Sequence, residues 1–286
     1  MGNVDLHIHS YYSDGSMSPE QIADFAAQRG VTTLAIADHD MTQGSVALKP
    51  LCAARGIRHI PAVEHCANHQ DLHVHVLSYF ADFENAAYLS MIRRARKALD
   101  DMSITLIERM QPHEPRVTVE SYMGFTRNPA LGGWACLEYL MHCGVTQSMT
   151  AGMPYYPRYG ISYADADFPS LKETIDTIQR AGGVAILAHP AETLRPALQS
   201  ALQSAPEQAQ KQLFCRALEA LMGEGFDGIE CYYPLHEDWV TQACLDLCEA
   251  RGLMVTSGSD SHGIFGNTRE IGAMNVDESQ VRLHVE

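Results

Sequence analysis

The residues able to do chemistry come in short, ordered groups. The first is Asp5-Leu6-His7-Ile8-His9, followed at once by Ser13-Asp14-Gly15. Side chains on a β-strand alternate faces, so His7 and His9 point one way while Leu6 and Ile8 point the other. Leu6 and Ile8 can then pack under helices while both imidazoles converge beyond the strand's C-terminal end. Asp14 lies in the turn just past that end, with Gly15 supplying backbone freedom. Two imidazoles and a nearby carboxylate suit a borderline divalent ion such as Zn, Mn or Fe. The same residue types return at Asp38-His39-Asp40, Glu64, His73-Val74-His75, His189-Pro190 and Asp260-Ser261-His262. Any one of these alone is more often a satisfied polar residue than a ligand. As a set they point to a metal site assembled from several strands.

The elements that must position them follow from the pattern. Val4–His7 reads as a buried first strand. Ser18-Pro19-Glu20-Gln21 gives an N-cap, a proline at the first helical position and a glutamine for a capping box; Arg29-Gly30 closes that helix. Thr33–Ala37 is an apolar run too short for a helix, hence a second strand, and it delivers Asp38-His39-Asp40. Gln43–Arg55 is helical, Arg58–Val63 is a third strand ending in Glu64, and His73–Leu77 is a fourth. Periodicity leaves open which of His73 and His75 enters the site, because both share one face. The β/α rhythm then breaks. A long helix over 84–110 exposes Arg93, Arg94, Arg96 and Lys97, helices follow at Val119–Gly124 and Leu131–Gly144, and 151–163 reads as a Gly-, Pro- and Tyr-rich loop. It resumes with a helix at Ser170–Ala181 and a strand at Val184–Ala188 ending in His189. Helices at Thr193–Gln203 and Glu207–Gly223 are joined by Ser204-Ala205-Pro206. Then come a strand at Gly228–Tyr233, a helix at His236–Arg251 and a strand at Met254–Ser257 that opens onto Asp260 and His262. The tail from Ile271 supplies at most a short edge strand. In a (β/α) barrel, catalytic residues come from the C-terminal ends of different strands and meet on one face, which is the arrangement expected here.

Composition sets the outer limits. Of 286 residues, 46% are hydrophobic and 19% charged, as in a globular chain with a large core. No apolar run reaches the length of a membrane span, and Met1-Gly2-Asn3-Val4 has no signal-peptide character, so a cytoplasmic protein is expected. A net charge of −15 argues against duplex DNA or any non-specific nucleic-acid surface. An anionic substrate would be repelled unless bound cations reverse the sign locally. The eight cysteines form no Cys-x-x-Cys pair and are expected to be reduced.

The motifs Asp5-Leu6-His7-Ile8-His9…Ser13-Asp14-Gly15, Ala37-Asp38-His39-Asp40, Glu64, His75-Val76-Leu77-Ser78-Tyr79, Ala188-His189-Pro190 and Gly258-Ser259-Asp260-Ser261-His262-Gly263 resemble the PHP (polymerase and histidinol phosphatase) family over about 1–80 and 168–265. The resemblance implies an α/β fold, a distorted (β/α)7 TIM-like barrel, formed here by 1–99 and 166–286, with 100–165 as a helical insertion capping the substrate. It implies three divalent metal ions, Mn first, with Fe and Zn as alternatives. His7, His9, Glu64 and Asp260 would hold one metal. Glu64 would bridge to a second, held also by His75 and His189, and Asp14, His39 and His262 would hold the third. Asp5, Asp38 and Asp40 are plausible partners for imidazole N–H groups. His59, His65, His69, His113, His142 and His284 have no such context.

Paired divalent ions lower the pKa of a bridging water and clamp a phosphoryl centre, so the expected step is attack by metal-bound hydroxide on a phosphomonoester. Asp40 and His236 are the candidates for an acid at the leaving oxygen. Arg127, Asn128 and Arg158, with the tyrosines around Arg158, are the candidates for substrate contacts, arginine for a second phosphate and tyrosine for a base. The subgroup with a mid-chain helical insertion resembles 3′,5′-nucleoside bisphosphate phosphatases and 5′→3′ oligoribonucleotide exonucleases. This chain departs from it around 125–160. The expected activity is removal of the 3′-phosphate from a nucleoside bisphosphate. Histidinol-phosphate phosphatase, a short-RNA exonuclease and a metal-stabilised accessory domain are the alternatives.

Overall fold

The computed structural model describes residues 2–202, 205–266 and 269–283, so the expected helix end at Gln203, the linking Ser204 and His284 lie outside the described residues. The first half alternates strand and helix: β1 (Asn3–Asp5), α1 (Pro19–Gln28), β2 (Val31–Leu34), α2 (Gln43–Arg55), β3 (Arg58–His59), β4 (Ala62–His69) and β5 (Leu72–Tyr79). The Ser18 hydroxyl accepts from the Gln21 N–H, and Gln21 reaches back to the Ser18 N–H, so the expected capping box opens α1. Where one strand was expected over Arg58–Val63 there are two, separated by Ile60-Pro61. Proline has no N–H to give a ladder. Glu64 therefore sits inside β4 rather than at a strand end.

Next come α3 (Ala86–Met110), α4 (Val119–Met123), α5 (Ala135–His142) and α6 (Tyr155–Arg158), the last a helical turn inside the expected loop. The second half runs α7 (Leu171–Arg180), β6 (Val184–Leu187), α8 (Pro190–Leu202), α9 (Glu207–Met222), β7 (Gly228–Tyr232), α10 (Asp238–Arg251) and β8 (Met254–Ser257). α8 starts at Pro190, three residues before the expected Thr193, because proline is tolerated at a first helical position. Among the described residues the tail packs by the isolated bridges Asn3↔Asp277 and Val255↔Arg282 and forms no strand.

Hydrogen bonding draws two open sheets, β1-β2-β3 and β4-β5-β6-β7-β8. β5 runs antiparallel to both of its neighbours, β4 and β6, because β4 and β5 form a hairpin with no helix between them. The closed barrel expected from the sequence is thus not drawn by continuous ladders. Two seams join the sheets, at the bridges Ile8↔Ser261 and His39↔Glu64, reinforced by His9 N–H to the Ser261 carbonyl (2.9 Å) and Asp40 N–H to the Glu64 carbonyl (2.9 Å). Both seams lie where the metal-capable residues are.

Apolar packing fixes which way β1 and its extension face. Leu6 packs with Val4, Ala35, Leu77 and Ile186 between the sheets, and Ile8 packs with Ile22, Leu34, Ile36 and Leu48 under α1 and α2. Full burial of each such side chain stabilises by roughly 1.5–3 kcal/mol. A one-residue slip would forfeit both and turn His7 and His9 into the apolar layer. A separate apolar cluster, with Leu99, Met102, Leu106, Met110, Leu137 and Leu140, gathers residues between 95 and 168. Among the described residues no helix is long and apolar enough to cross a membrane.

Candidate metal centre

All nine residues put forward as ligands come together, and all but His75 and His262 are buried. They arrive from six directions. His7 and His9 extend β1, Asp14 follows in the next turn, and His39 follows β2. Glu64 and His75 project from the β4–β5 hairpin, His189 follows β6, and Asp260 and His262 follow β8. Gly258 allows the last of these approaches. A Cβ there would lie 2.1 Å from the His7 Cβ and 2.6 Å from a Glu230 oxygen.

Glu64 is the hub. Its Oε2 lies 3.2 Å from His7 Nε2, 3.1 Å from His9 Nε2 and 3.3 Å from His39 Nδ1. Its Oε1 lies 3.1 Å from His75 Nδ1 and 3.0 Å from His189 Nε2. Asp260 Oδ1 lies 3.1 Å from His9 Nε2, and Asp14 Oδ2 lies 3.3 Å from His262 Nε2. The donor atoms fall into three sets: His7, His9 and Asp260; Glu64, His75 and His189; and His9, Asp14, His39 and His262. Cys66, two residues beyond Glu64 on the same face of β4, joins His39 and His75 in a fourth.

Burial opposes charge on every member, and the neighbours decide the outcome. Hydrogen bonds to Asp260 and Glu64 overcome burial at His9 and raise its pKa to about 10, and Glu64, Glu230 and Asp260 raise His7 well above its usual value. Against the same burial, the imidazoles hold Glu64 and Asp260 well below the usual carboxylate range. At His39 burial prevails and lowers the pKa to about 3. The donor chemistry fits divalent metal: His7 Nε2 and His9 Nε2 face each other at 3.1 Å, and His9 Nδ1 is buried without a hydrogen-bond partner. A cation shared among these lone pairs does what protons can do only in part.

The surrounding carboxylates differ from expectation. Asp5 accepts from the Ser259 and Gly272 N–H groups (2.9 and 2.7 Å), and burial raises its pKa to about 6. Asp38 accepts from Ser10 N–H, Ser10 Oγ and Ser13 Oγ at 2.6–2.7 Å. Both hold loops, not imidazoles. The imidazole partner is Glu230, in the middle of β7: its Oε1 accepts from His7 Nδ1 (3.0 Å) and its Oε2 from the His189 N–H (2.9 Å). A lone carboxylate inside the apolar run Gly228-Ile229-Glu230-Cys231-Tyr232 was the available signal, since a buried charge needs a partner. Arg269 was also missed. It pairs with Asp260 and lies 2.5 Å from the Tyr233 hydroxyl.

Above the centre opens a cleft of about 680 Å³. His39, Glu64, His75, His189, Asp260 and His262 line its floor, and His73, Tyr156, Tyr163, Glu192 and Thr193 are among its walls. The expected acids and substrate residues lie elsewhere. Asp40 is buried, accepting from the Cys66 N–H (3.3 Å) and facing His65 Nδ1 at 3.4 Å. His236 donates from Nδ1 to the Cys231 carbonyl (3.0 Å) and lines a separate hollow behind Tyr233. The Arg127 guanidinium donates to the Tyr11, Ser13 and Gly133 carbonyls. Asn128 caps the following turn through Ala130 N–H (3.1 Å). Arg158 is exposed over the Tyr155 ring, 5.7 Å from its centroid.

Residues 5–118 match the PHP domain family model. Among relatives, the chain is 28% identical over 279 residues to a phosphoribosyl 1,2-cyclic phosphate 1,2-diphosphodiesterase of Eggerthella lenta, covering 94% of this chain and 97% of that one. It is 26% identical over 275 residues to a 3′,5′-nucleoside bisphosphate phosphatase of Chromobacterium violaceum, covering 95% and 91%. The same fold occurs in a Chromobacterium violaceum protein described as an amidohydrolase with bound sulfate and no metal. There the TM-score is 0.73 at 24% identity over 95% of this chain and 90% of that one.

Proposed function

We propose that this PHP-domain hydrolase cleaves a phosphate ester of a nucleotide-sized substrate, the 3′-phosphate of a 3′,5′-nucleoside bisphosphate being the foremost candidate. The observation that carries the reading is the convergence of nine imidazole and carboxylate side chains on the floor of a cleft of about 680 Å³. His7, His9, Asp14, His39, Glu64, His75, His189, Asp260 and His262 would hold divalent ions, three by the family resemblance, with Mn first. When bound, such ions activate water and neutralise phosphoryl oxygens, which lets an acidic protein accept an anion.

The chain's own residues do the rest. Glu64 presents one oxygen to each side of the centre and so ties its halves together. Glu230 orients His7 from behind. The Tyr156 and Tyr163 rings give the wall an aromatic face on which a base can stack. Glu192 stands at the cleft wall, one carboxylate oxygen accepting from the Tyr233 hydroxyl at 2.8 Å and lying 3.8 Å from the Arg269 guanidinium.

A second reading, hydrolysis of a phosphoribosyl cyclic phosphate, is favoured by one observation: the Eggerthella lenta relative named for that substrate matches 94% of this chain and 97% of its own length. The test is phosphate release by Mn-loaded protein from adenosine 3′,5′-bisphosphate, AMP, histidinol phosphate and a short 5′-phosphorylated RNA. Ring opening of a phosphoribosyl 1,2-cyclic phosphate is followed alongside. Preference for the bisphosphate, lost in Asp14→Ala, is the expected result. Preference for the cyclic ester would move the assignment to the second reading. Turnover of none, with metal bound, would leave an accessory binding domain.

A further inference from the structure

The β4–β5 hairpin carries a polar file that the proposed ligand set uses only in part. Cross-strand pairing sets Cys66 opposite His75 and Asn68 opposite His73, so Glu64, Cys66, Asn68, His73 and His75 share one face. Asn68 lies on the side of His73 away from the metal centre. Its Nδ2 donates to three backbone carbonyls, of Tyr163 (3.1 Å), Ala164 (3.2 Å) and Ala166 (3.0 Å). Carbonyls only accept, so the amide has one orientation and its Oδ1 must be the atom facing His73 Nδ1 at 3.2 Å. That contact puts a proton on His73 Nδ1. In the neutral ring the lone pair is then on His73 Nε2, which lies 3.0 Å from His75 Nε2. His75 must donate there from Nε2, which leaves Nδ1, the atom 3.1 Å from Glu64 Oε1 and 3.3 Å from His189 Nε2, to face the centre and offer its lone pair to a metal in place of a proton shared with Glu64.

We infer that Asn68 and His73 are positioning residues that fix the tautomer and ring orientation of His75, presenting its Nδ1 to the metal centre. The inference rests on the proposed role of His75 as a ligand. Ligating histidines usually pass their second N–H to a carboxylate or a carbonyl. Here an imidazole takes that place, and the backbone of 163–166 sets the direction of the whole chain of bonds. The wall of the cleft and the floor are thereby coupled, since moving 163–166 would release the Asn68 amide and with it the His75 tautomer.

A packing role is the competing account, because the His73 ring also lies 4.8 Å from the Tyr163 ring and 4.9 Å from the Phe168 ring. Two measurements separate them. In metal-free protein labelled with ¹⁵N-histidine, NMR should show a proton on Nδ1 of His73 and on Nε2 of His75, with His73 Nε2 bare. A proton on His73 Nε2, or none on His75 Nε2, overturns the inference without any variant being made. In Mn titrations, His73→Phe keeps the aromatic packing but removes the acceptor and should weaken binding about 10–100-fold. His73→Gln, which keeps an acceptor, should recover most of that loss. Wild-type Mn affinity in His73→Phe overturns the inference and leaves His73 as packing. If the wild-type chain binds no Mn, the metal reading fails while the NMR result still decides the tautomers.

Discussion

The metal centre and the segment between 95 and 168 use polar side chains for opposite purposes. At the centre, imidazoles and carboxylates aim at one another at 3.0–3.6 Å, and most polar atoms face a common interior. In the segment three arginines turn to the backbone. Arg109 donates to the Tyr159 and Gly160 carbonyls (2.7 and 2.8 Å), Arg116 to Gly144 (2.5 Å), and Arg127 to Tyr11, Ser13 and Gly133. Short helices and turns leave carbonyls that no ladder satisfies, and guanidinium groups with five donors brace them. An arginine in a loop is therefore poor evidence of a phosphate site until its carbonyl neighbours are counted.

The exposed basic side of α3 carries the same lesson. Arg94 pairs with Glu173, Arg96 with Asp100 and Lys97 with Asp101, so these three side chains face carboxylates. Exposed pairs of this kind are worth about 0–1 kcal/mol each, enough to settle side-chain placement but little else.

If the contrast between the two regions holds, substitutions should separate them cleanly. Glu230→Gln leaves the fold in place but weakens the hold on His7, and metal affinity should fall about 10–100-fold in a chelator-competition titration. An unchanged affinity would make Glu230 a neutral neighbour. Arg127→Lys should act through stability, because one ammonium cannot span three carbonyls. A loss of about 2–3 kcal/mol is expected in denaturant unfolding, with KM for a small phosphate ester nearly unchanged. A raised KM at unchanged stability would return Arg127 to the substrate. The smallest effect concerns His59, outside both regions. Burial, with Lys49 nearby, lowers its pKa to about 4 from 6.5. A depressed histidine contributes stability above pH 6.5 that is lost as pH falls toward 4. Wild type should therefore lose slightly more Tm than His59→Gln between pH 7 and pH 5, and equal losses would remove His59 from the acid response.

What the sequence disclosed follows the same division. His7 and His9 are legible because a period of two, with Leu6 and Ile8 on the apolar side, leaves them only one face. α1 is legible from its capping box, and α2 and α10 from the glycines after them. The hairpin was half legible: Pro61 broke the strand expected to end at Glu64, and β4 ran on to His69 to pair with β5. That pairing decides the question periodicity left open between His73 and His75, since it sets His73 against Asn68 and His75 toward Glu64. The two open sheets were not legible, because an antiparallel β5 has no signature distinct from a parallel one in an apolar run. Asp40 and His236 were misplaced for a different reason. Proximity in sequence to a ligand or to a strand end does not show on which side of the sheet a side chain is consumed.

The nine converging side chains are expected to act as one metal centre with Glu64 at its hub. Metal content after Mn loading and gel filtration, measured by elemental analysis for wild type and Glu64→Gln, tests it most directly. Glu64 presents its two oxygens to different sets of imidazoles, so its amide variant should lose metal from both sides. Activity should fall with it, by more than the roughly 100-fold expected for a supporting residue alone. Wild type without stoichiometric metal, or Glu64→Gln retaining the full wild-type complement, would contradict the account.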